Sequence, residues 1–276
     1  MKEYTGFAEV YDMFMDNVPY DEWAEYLHGL LKENGVKKGI VCELGCGTGK
    51  MTRRLRDFGY DMIGVDMSED MLRIAIEQEA KAGNTINGVT QNTGSKLKQD
   101  KKEILYLVQD MRNFELYGTV SAVVSVCDCM NYITEPEDLL QVFKLANNYL
   151  DPGGVFIFDM NTPYYYKKIL GEQTICDNRE EGSLIWENYY DAETKINEFD
   201  ITIYIGRNSD TYKRFEETHY QRAYSITEVK RLLKKAGLTD IRVYEVLTKN
   251  EPDKISERVY FVSKECMKQK KRGNKQ

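Results

Sequence analysis

The sequence predicts a doubly wound α/β fold, and three observations lead there. Short apolar runs alternate with amphipathic helical stretches along most of the 276 residues. A glycine-rich turn, Gly45-Cys46-Gly47-Thr48-Gly49, joins the first of these runs to the helix that follows it. Later runs end in carboxylates, Asp66 and Asp110. Alternation of strand and helix is the pattern of a parallel sheet, and polar groups at successive strand ends mark the crevice where such sheets bind ligands.

The elements follow in order. Phe7, Val10, Tyr11 and Phe14 recur at helical spacing until Pro19 interrupts them. Asp21 reads as the N-cap of a second helix carrying Trp23, Tyr26, Leu27, Leu30 and Leu31. Ile40 to Leu44 is a short apolar strand, and the glycine turn leads into a helix through Leu55. The next strand runs from Asp61 to Val65 and ends at Asp66; a helix then opens at Ser68 and runs to about Lys81. Residues 83–103 lose apolar periodicity and read as a surface loop. Strands resume at Ile104 to Val108 and at Val120 to Val126. A helix from Glu137 to Leu150 stops at the turn signal Asp151-Pro152-Gly153-Gly154, and Val155 to Phe158 gives a fifth strand.

The parallel pattern then breaks. Ser183 to Tyr190, Ile196 to Ile205 and Tyr212 to Tyr224 alternate with period two, so residues 164–222 read as an antiparallel β insertion. Ser225 with Glu228 caps a helix that Gly237 ends. Ile241 to Leu247 and Val259 to Ser263 complete a seven-stranded sheet, mainly parallel with its last strand antiparallel. Residues 1–163 and 223–276 together form the ligand-binding domain, with the 164–222 insertion as a cover over the acceptor side.

Composition narrows the function. At 42% hydrophobic and 30% charged residues the chain can build an ordinary globular core. No apolar run nears the roughly 20 residues that span a bilayer, and none follows the amino terminus as a signal peptide would. The expectation is a cytoplasmic protein without a membrane partner. A net charge of -7 argues against nonspecific nucleic-acid binding, and the basic stretch from Lys268 to Lys275 reads as a solvated terminus. Six cysteines without a CxxC pair, and two histidines, give no zinc pattern, so no metal is expected.

The chemistry concentrates around the glycine turn. Glycines between strand and helix let a ligand approach the backbone closely. A dinucleotide motif would place its third glycine where Lys50 stands, and Glu43 just before the turn would repel a pyrophosphate. A carboxylate suits a ligand with a cationic amino end and a sulfonium, which describes S-adenosylmethionine. Asp66, about 20 residues past the turn, is placed for ribose hydroxyls. Asp110 could accept from an adenine amino group.

On these residues the chain resembles the class I S-adenosylmethionine-dependent methyltransferases. The matching stretches are Glu43 to Gly49, Gly64 to Leu72, Gln109-Asp110-Met111 and Leu150 to Gly154. Tyr4 to Asp12 and Pro19 to Trp23 are similar to a bacterial subgroup often called YqeM-like, and to glycine and amino-sugar N-methyltransferases. The resemblance implies that Gly45, Cys46 and Gly47 contact the cofactor's methionine end and that Asp66 binds ribose. It further implies that Met67 and Met111 flank adenine, that Cys127 lies near the sulfonium, and that Tyr11 and Trp23 belong to a lid. Met71 reads as filling a core gap, with contact to the adenine edge as the alternative. The stretch Cys127-Asp128-Cys129-Met130-Asn131-Tyr132 departs from the Asn/Asp-Pro-Pro-aromatic motif of amide and base methylation. A small-molecule methyl acceptor at nitrogen or oxygen is therefore expected.

The rival readings are an RNA or protein methyltransferase, a noncatalytic S-adenosylmethionine-binding regulator and an NAD-dependent oxidoreductase. Asp128 lines the acceptor pocket in one reading and caps a helix in the other. His219 is the candidate general base, because histidine is the side-chain type suited to proton transfer near neutrality, against a role within the β insertion. The insertion's many tyrosines serve packing or a subunit interface, such as a homodimer's, with one or two reaching the pocket.

Overall fold

The computed structural model of the chain describes residues 12–84, 102–208 and 211–266. Phe7, Val10, Tyr11, most of the 83–103 stretch and the tail from Lys268 lie outside them.

The chain enters through helix α1 (Tyr20–Glu33), whose buried face is Trp23, Ala24, Leu27, Leu30 and Leu31. Pro19, not Asp21, occupies the cap position, and Asp21 sits in the first turn, where a carboxylate favours the positive helix end. Strand and helix then alternate as expected: β1 (Ile40–Leu44), α2 (Lys50–Asp57), β2 (Asp61–Asp66), α3 (Glu69–Asn84), β3 (Leu105–Val108), β4 (Val120–Ser125), α4 (Pro136–Tyr149) and β5 (Leu150–Asn161). Asp151 to Gly154 do not interrupt β5. Leu150 already pairs with Val120, and the turn signal becomes a register shift between Val120 and Ala122.

After β5 come four antiparallel strands, β6 (Thr174–Asn178), β7 (Gly182–Asp191), β8 (Ile196–Asn208) and β9 (Thr211–Arg222). Helix α5 (Ile226–Lys235) follows, with the Ser225 hydroxyl accepting from the Glu228 amide at 3.2 Å. β10 (Leu238–Glu245) and β11 (Arg258–Glu265) close the chain.

The main sheet has seven strands in the order β10-β11-β5-β4-β1-β2-β3, and the second has four in the order β6-β7-β8-β9. In the main sheet β5, β4, β1, β2 and β3 run parallel, while β11 is antiparallel to both its neighbours. Strand order reverses between β1 and β4, the switch point at which doubly wound sheets bind ligands.

Alternate residues of β5 serve opposite faces, as a central strand requires. Phe156 and Phe158 join Phe143, Phe261 and Leu139 on the α4–α5 side, with Phe156 and Phe158 ring centroids 4.7 Å apart. Val155 and Ile157 join Leu27, Leu30, Leu31, Leu55 and Tyr60 on the α1–α2 side. Each fully buried side chain of this size contributes about 1.5–3 kcal/mol relative to exposure.

The small sheet packs its inner face on the main domain. Leu184, Phe199, Ile201 and Ile203 meet Phe14 and Met71. Both ends of the inserted stretch converge on one fully buried side chain: the Asn131 amide donates to the carbonyls of Asn161 at 3.2 Å and Arg222 at 2.8 Å. Its Oδ1 accepts from the Asn161 amide at 2.9 Å.

Candidate active site

The glycine turn leaves β1 at Gly45, which has φ +71°; Gly47 has φ +51°. These are conformations in which a Cβ is strained, but the two positions differ in what surrounds them. A Cβ at Gly45 would lie 2.6 Å from the Cys129 sulfur and 3.4 Å from the Met111 methyl. A Cβ at Gly47 would meet nothing within 4 Å. Gly45 is thus hemmed in by the protein, while Gly47 presents bare backbone to open space. The amides of Gly45 and Cys46 both donate to the Val65 carbonyl, at 2.8 and 3.0 Å, which sews the turn to β2.

Asp66 ends β2 with its carboxylate against this turn. It accepts from the Gly47 amide at 2.7 Å and from the Ser68 amide at 2.9 Å. Burial raises its pKa against the pull of those amides. Glu43 is deeper, with the Thr52 hydroxyl donating to it at 2.5 Å. Burial pushes its carboxyl up to about 8, the Thr52 bond opposing and the Asp66 charge reinforcing the shift. Two basic residues are already engaged beside the turn: Arg53 donates to the Thr48 carbonyl at 2.8 Å, and Lys50 pairs with Asp12.

A glycine turn with open space where a Gly47 Cβ would stand, set between the buried Glu43 and the half-buried Asp66, fits a ligand that brings positive charge and hydroxyl donors, as S-adenosylmethionine does, and fits a pyrophosphate poorly. Burial likewise raises the thiols of Cys46, Cys127 and Cys129 well above their ordinary value, so they line the site as neutral groups.

The other expected cofactor residues sit around this centre in varied roles. Met67 is 53% exposed just beyond Asp66. Met71 is buried against the small sheet. Asp110 is engaged by Arg112, whose Nε lies 2.9 and 3.0 Å from its two oxygens. Burial raises the Asp110 pKa, and the guanidinium and amide of Arg112 outweigh that, leaving it below the usual range. The Trp23 ring lies 5.1 Å from the Arg258 guanidinium.

At the carboxyl end of β4 the backbone takes two left-handed residues in succession, Cys127 (φ 61°) and Asp128 (φ 52°). The fully buried Asp159 holds them, accepting from the Cys127 amide at 3.3 Å and the Asp128 amide at 2.8 Å. Arg258 bridges the two acids, 2.9 Å from Asp159 and 2.7 Å from Asp128. Gln221 of β9 donates to the second Asp128 oxygen at 2.6 Å and accepts from the Tyr166 hydroxyl at 2.9 Å.

Asp128 stands at the cap position of a short helical turn, Cys129–Tyr132, where its carbonyl accepts from the Asn131 amide at 2.9 Å. Its side chain makes no cap bond and goes to Arg258 and Gln221. Two aspartates against one arginine leave the cluster with a formal excess of negative charge.

His219 is buried within the small sheet, stacked on Phe199 at 5.2 Å, edge-on to Tyr132 at 5.9 Å, and 3.3 Å from the Glu217 carboxylate. It stands beside the Tyr132 turn rather than at the glycine loop.

Asp159, Arg258, Gln221 and Asn131 escaped the sequence reading, whereas Tyr166, which meets Gln221 here, is one of the insertion tyrosines that reading divides between packing and the pocket. Asp159 could have been found, because it follows the apolar run Val155 to Phe158 as Asp66 follows its strand. The partners of Arg258 lie 99 and 130 residues away, beyond any local pattern. Among the described residues no group of three or more His, Cys, Asp or Glu is placed to hold a metal ion, and no helix is long and apolar enough to cross a membrane.

Comparison with known proteins matches these features. A family model described as a methyltransferase domain matches residues 15–243. The Bacillus subtilis (strain 168) protein YqeM, whose name places it among the methyltransferases, is 32% identical over 259 residues, covering 94% of this chain and 95% of its own. A solved S-adenosylmethionine-dependent methyltransferase from Clostridium acetobutylicum ATCC 824 is 27% identical, with a TM-score of 0.80 over 96% of this chain and 99% of its own. A dTDP-3-amino-3,4,6-trideoxy-alpha-D-glucopyranose N,N-dimethyltransferase of Streptomyces venezuelae is 26% identical over 168 residues, 60% of each chain.

Proposed function

Because the chain belongs to the methyltransferase-domain family and is an enzyme that uses S-adenosylmethionine, we propose that it methylates nitrogen or oxygen of a small molecule, an amine foremost. The observation that carries this reading is the Asp128 carboxylate, held at the end of β4 by Arg258 and Gln221 in a cluster with excess negative charge. Such a wall attracts an ammonium group and accepts its N–H; once that nitrogen has released one proton to solvent, its lone pair can face the methyl group. The Streptomyces venezuelae relative, named for N,N-dimethylation of an amino sugar, supports the same choice.

Bound S-adenosylmethionine supplies a methyl group on a sulfonium. The protein's part is alignment and charge. Gly45 and Gly47 offer backbone to the methionine end, Asp66 accepts from ribose hydroxyls, and Glu43 balances cationic charge from beneath. Met67 and Met111 border the adenine, Asp110 offers its remaining acceptor capacity to the adenine amino group, and Cys127 lies towards the reacting end. Alignment of this kind can supply about 7–11 kcal/mol of a displacement barrier. The small sheet, which brings Gln221 to Asp128, covers the acceptor side.

The test is methyl uptake from labelled S-adenosylmethionine across amines, hydroxylated metabolites, RNA and protein. Uptake by a small amine, with Asp128→Ala lowering kcat/KM for it about a hundredfold (the scale of one positioned catalytic hydrogen bond) and leaving cofactor affinity intact, is the expected result. Uptake by RNA or protein alone would refute the reading.

A further inference from the structure

Asp128 and Gln221 meet with hydrogen-bonding capacity to spare. A carboxylate accepts along about four lone-pair directions. Arg258 takes one on Oδ1 at 2.7 Å and Gln221 Nε2 takes one on Oδ2 at 2.6 Å, which leaves one on each oxygen. The Asp128 side chain keeps 21% of its surface exposed, so an incoming amine can reach it. An amide nitrogen carries two hydrogens; one of Gln221's goes to Asp128, and the other has no partner among the described residues. The orientation of that amide is set from both sides. Asp128 accepts on one side, and on the other the buried Tyr166 hydroxyl donates to Gln221 Oε1 at 2.9 Å. Burial pushes the Tyr166 pKa well above its ordinary value, so the hydroxyl keeps the proton it donates. Turning the amide over would set its oxygen against the carboxylate. Directly across from Gln221, on the same face, stands Asn197 of β8, with Cβ atoms about 5 Å apart for such a pair. Asn197 is fully buried; its Nδ2 donates to Asn188 Oδ1 at 3.3 Å, and its own Oδ1 has no partner.

We propose that Gln221 is a specificity-determining residue, aimed by Tyr166 as its positioning residue, and that it selects an amine carrying a hydroxyl group near the nitrogen. The amine gives its N–H to Asp128. The hydroxyl oxygen accepts the second Gln221 hydrogen, and the hydroxyl proton goes to Asn197 Oδ1. Only a group that both accepts and donates satisfies this pair, and a hydroxyl does so with a single atom. Tyr166 touches neither ligand group; it holds the amide in the one orientation that offers hydrogens to Asp128 and to the ligand. A plain alkyl amine meets Asp128 alone and leaves the buried Asn197 oxygen unpaired, which forfeits binding.

The inference rests on the amine reading and deepens it. It is tested with the full chain by methyl uptake from labelled S-adenosylmethionine into three probes, cyclohexylamine and the 2- and 3-aminocyclohexanols. Wild type is compared with Gln221→Met, Tyr166→Phe and Asn197→Leu. The readout is the ratio of kcat/KM between probes, because a loss of folding or of Asp128 alignment lowers all three alike. Wild type should favour at least one aminocyclohexanol over cyclohexylamine by about tenfold, the scale of one hydrogen bond. Gln221→Met should abolish that preference, and Tyr166→Phe and Asn197→Leu should each shrink it. The latter two carry the test if Gln221→Met fails to fold. Equal use of the three probes by wild type, or a preference that survives in the folded variants, would overturn the inference alone. A wild type that binds S-adenosylmethionine and methylates none of the amines would overturn the amine reading and the inference with it.

Discussion

At the scale of single residues, the site is defined by carboxylates held against their preference. Glu43 titrates at about 8 in the folded protein because burial penalises its charge, against about 4.3 in an unfolded chain. Between those values the native state keeps a proton that the unfolded state releases, so the ligand-free protein loses stability as pH rises through that window. Glu43→Gln removes the titration; the melting temperature of the variant relative to wild type should therefore be higher at pH 8 than at pH 5. A cationic cofactor favours the ionised form. Calorimetry in buffers of different ionisation enthalpy should accordingly show proton release on S-adenosylmethionine binding near pH 7, and an affinity that improves from pH 6 to pH 8. Both effects should vanish in Glu43→Gln, and a pH-independent wild-type affinity would remove Glu43 from the charge balance. Asp66 acts at the surface of the same pocket and also holds the Gly47 amide. Asp66→Ala should weaken cofactor binding more than tenfold by calorimetry, the scale of a lost hydrogen bond to a charged group; an unchanged affinity would contradict its role.

At the scale of elements, the end of β4 depends on partners drawn from β5, β9 and β11. Removing Arg258 leaves Asp159 buried without its cation, a situation that costs about 3–5 kcal/mol. Arg258→Met should therefore lower the denaturant midpoint strongly, and adding Asp159→Asn should recover part of the loss. Equal midpoints for Arg258→Met and wild type would show the pair to be dispensable. This element also marks how far the sequence could be read. Apolar runs, the glycine turn and the acids after β2 and β3 are local signals, and each corresponds to a strand, turn or strand end in the fold. The short strand β6 has no such signal, because Thr174 to Asn178 is half exposed and places one apolar residue, Ile175, on its inner face. Arg258 and Gln221 reach the site only because folding brings β11 and β9 beside β4, so no spacing along the chain announces them. Met71, which the sequence leaves between a core gap and the adenine edge, has its side chain in the seam with the small sheet.

At the scale of the whole molecule, the small sheet packs on the α/β domain through Phe14 and Met71, and a ligand held by that domain should stabilise the assembly. S-adenosylhomocysteine at 100 times its Kd adds about 2.7 kcal/mol, which for a chain of this size raises Tm by roughly 5–10 °C. A thermal shift of that order in wild type, reduced in Asp66→Ala, is the expected result; no shift at saturating ligand would contradict the site. The Asn131 clamp has a consequence of another kind. Since the stretch between Asn161 and Arg222 leaves and returns at the same side chain, its departure and return points on the α/β scaffold are adjacent. The whole stretch can then be exchanged for another of different length without moving β5 or α5, like a cassette between fixed ports. Evolution could retune what the enzyme methylates by swapping that cassette while the cofactor half stays as it is, and a chimaera spliced at Asn161 and Arg222 offers the laboratory the same route.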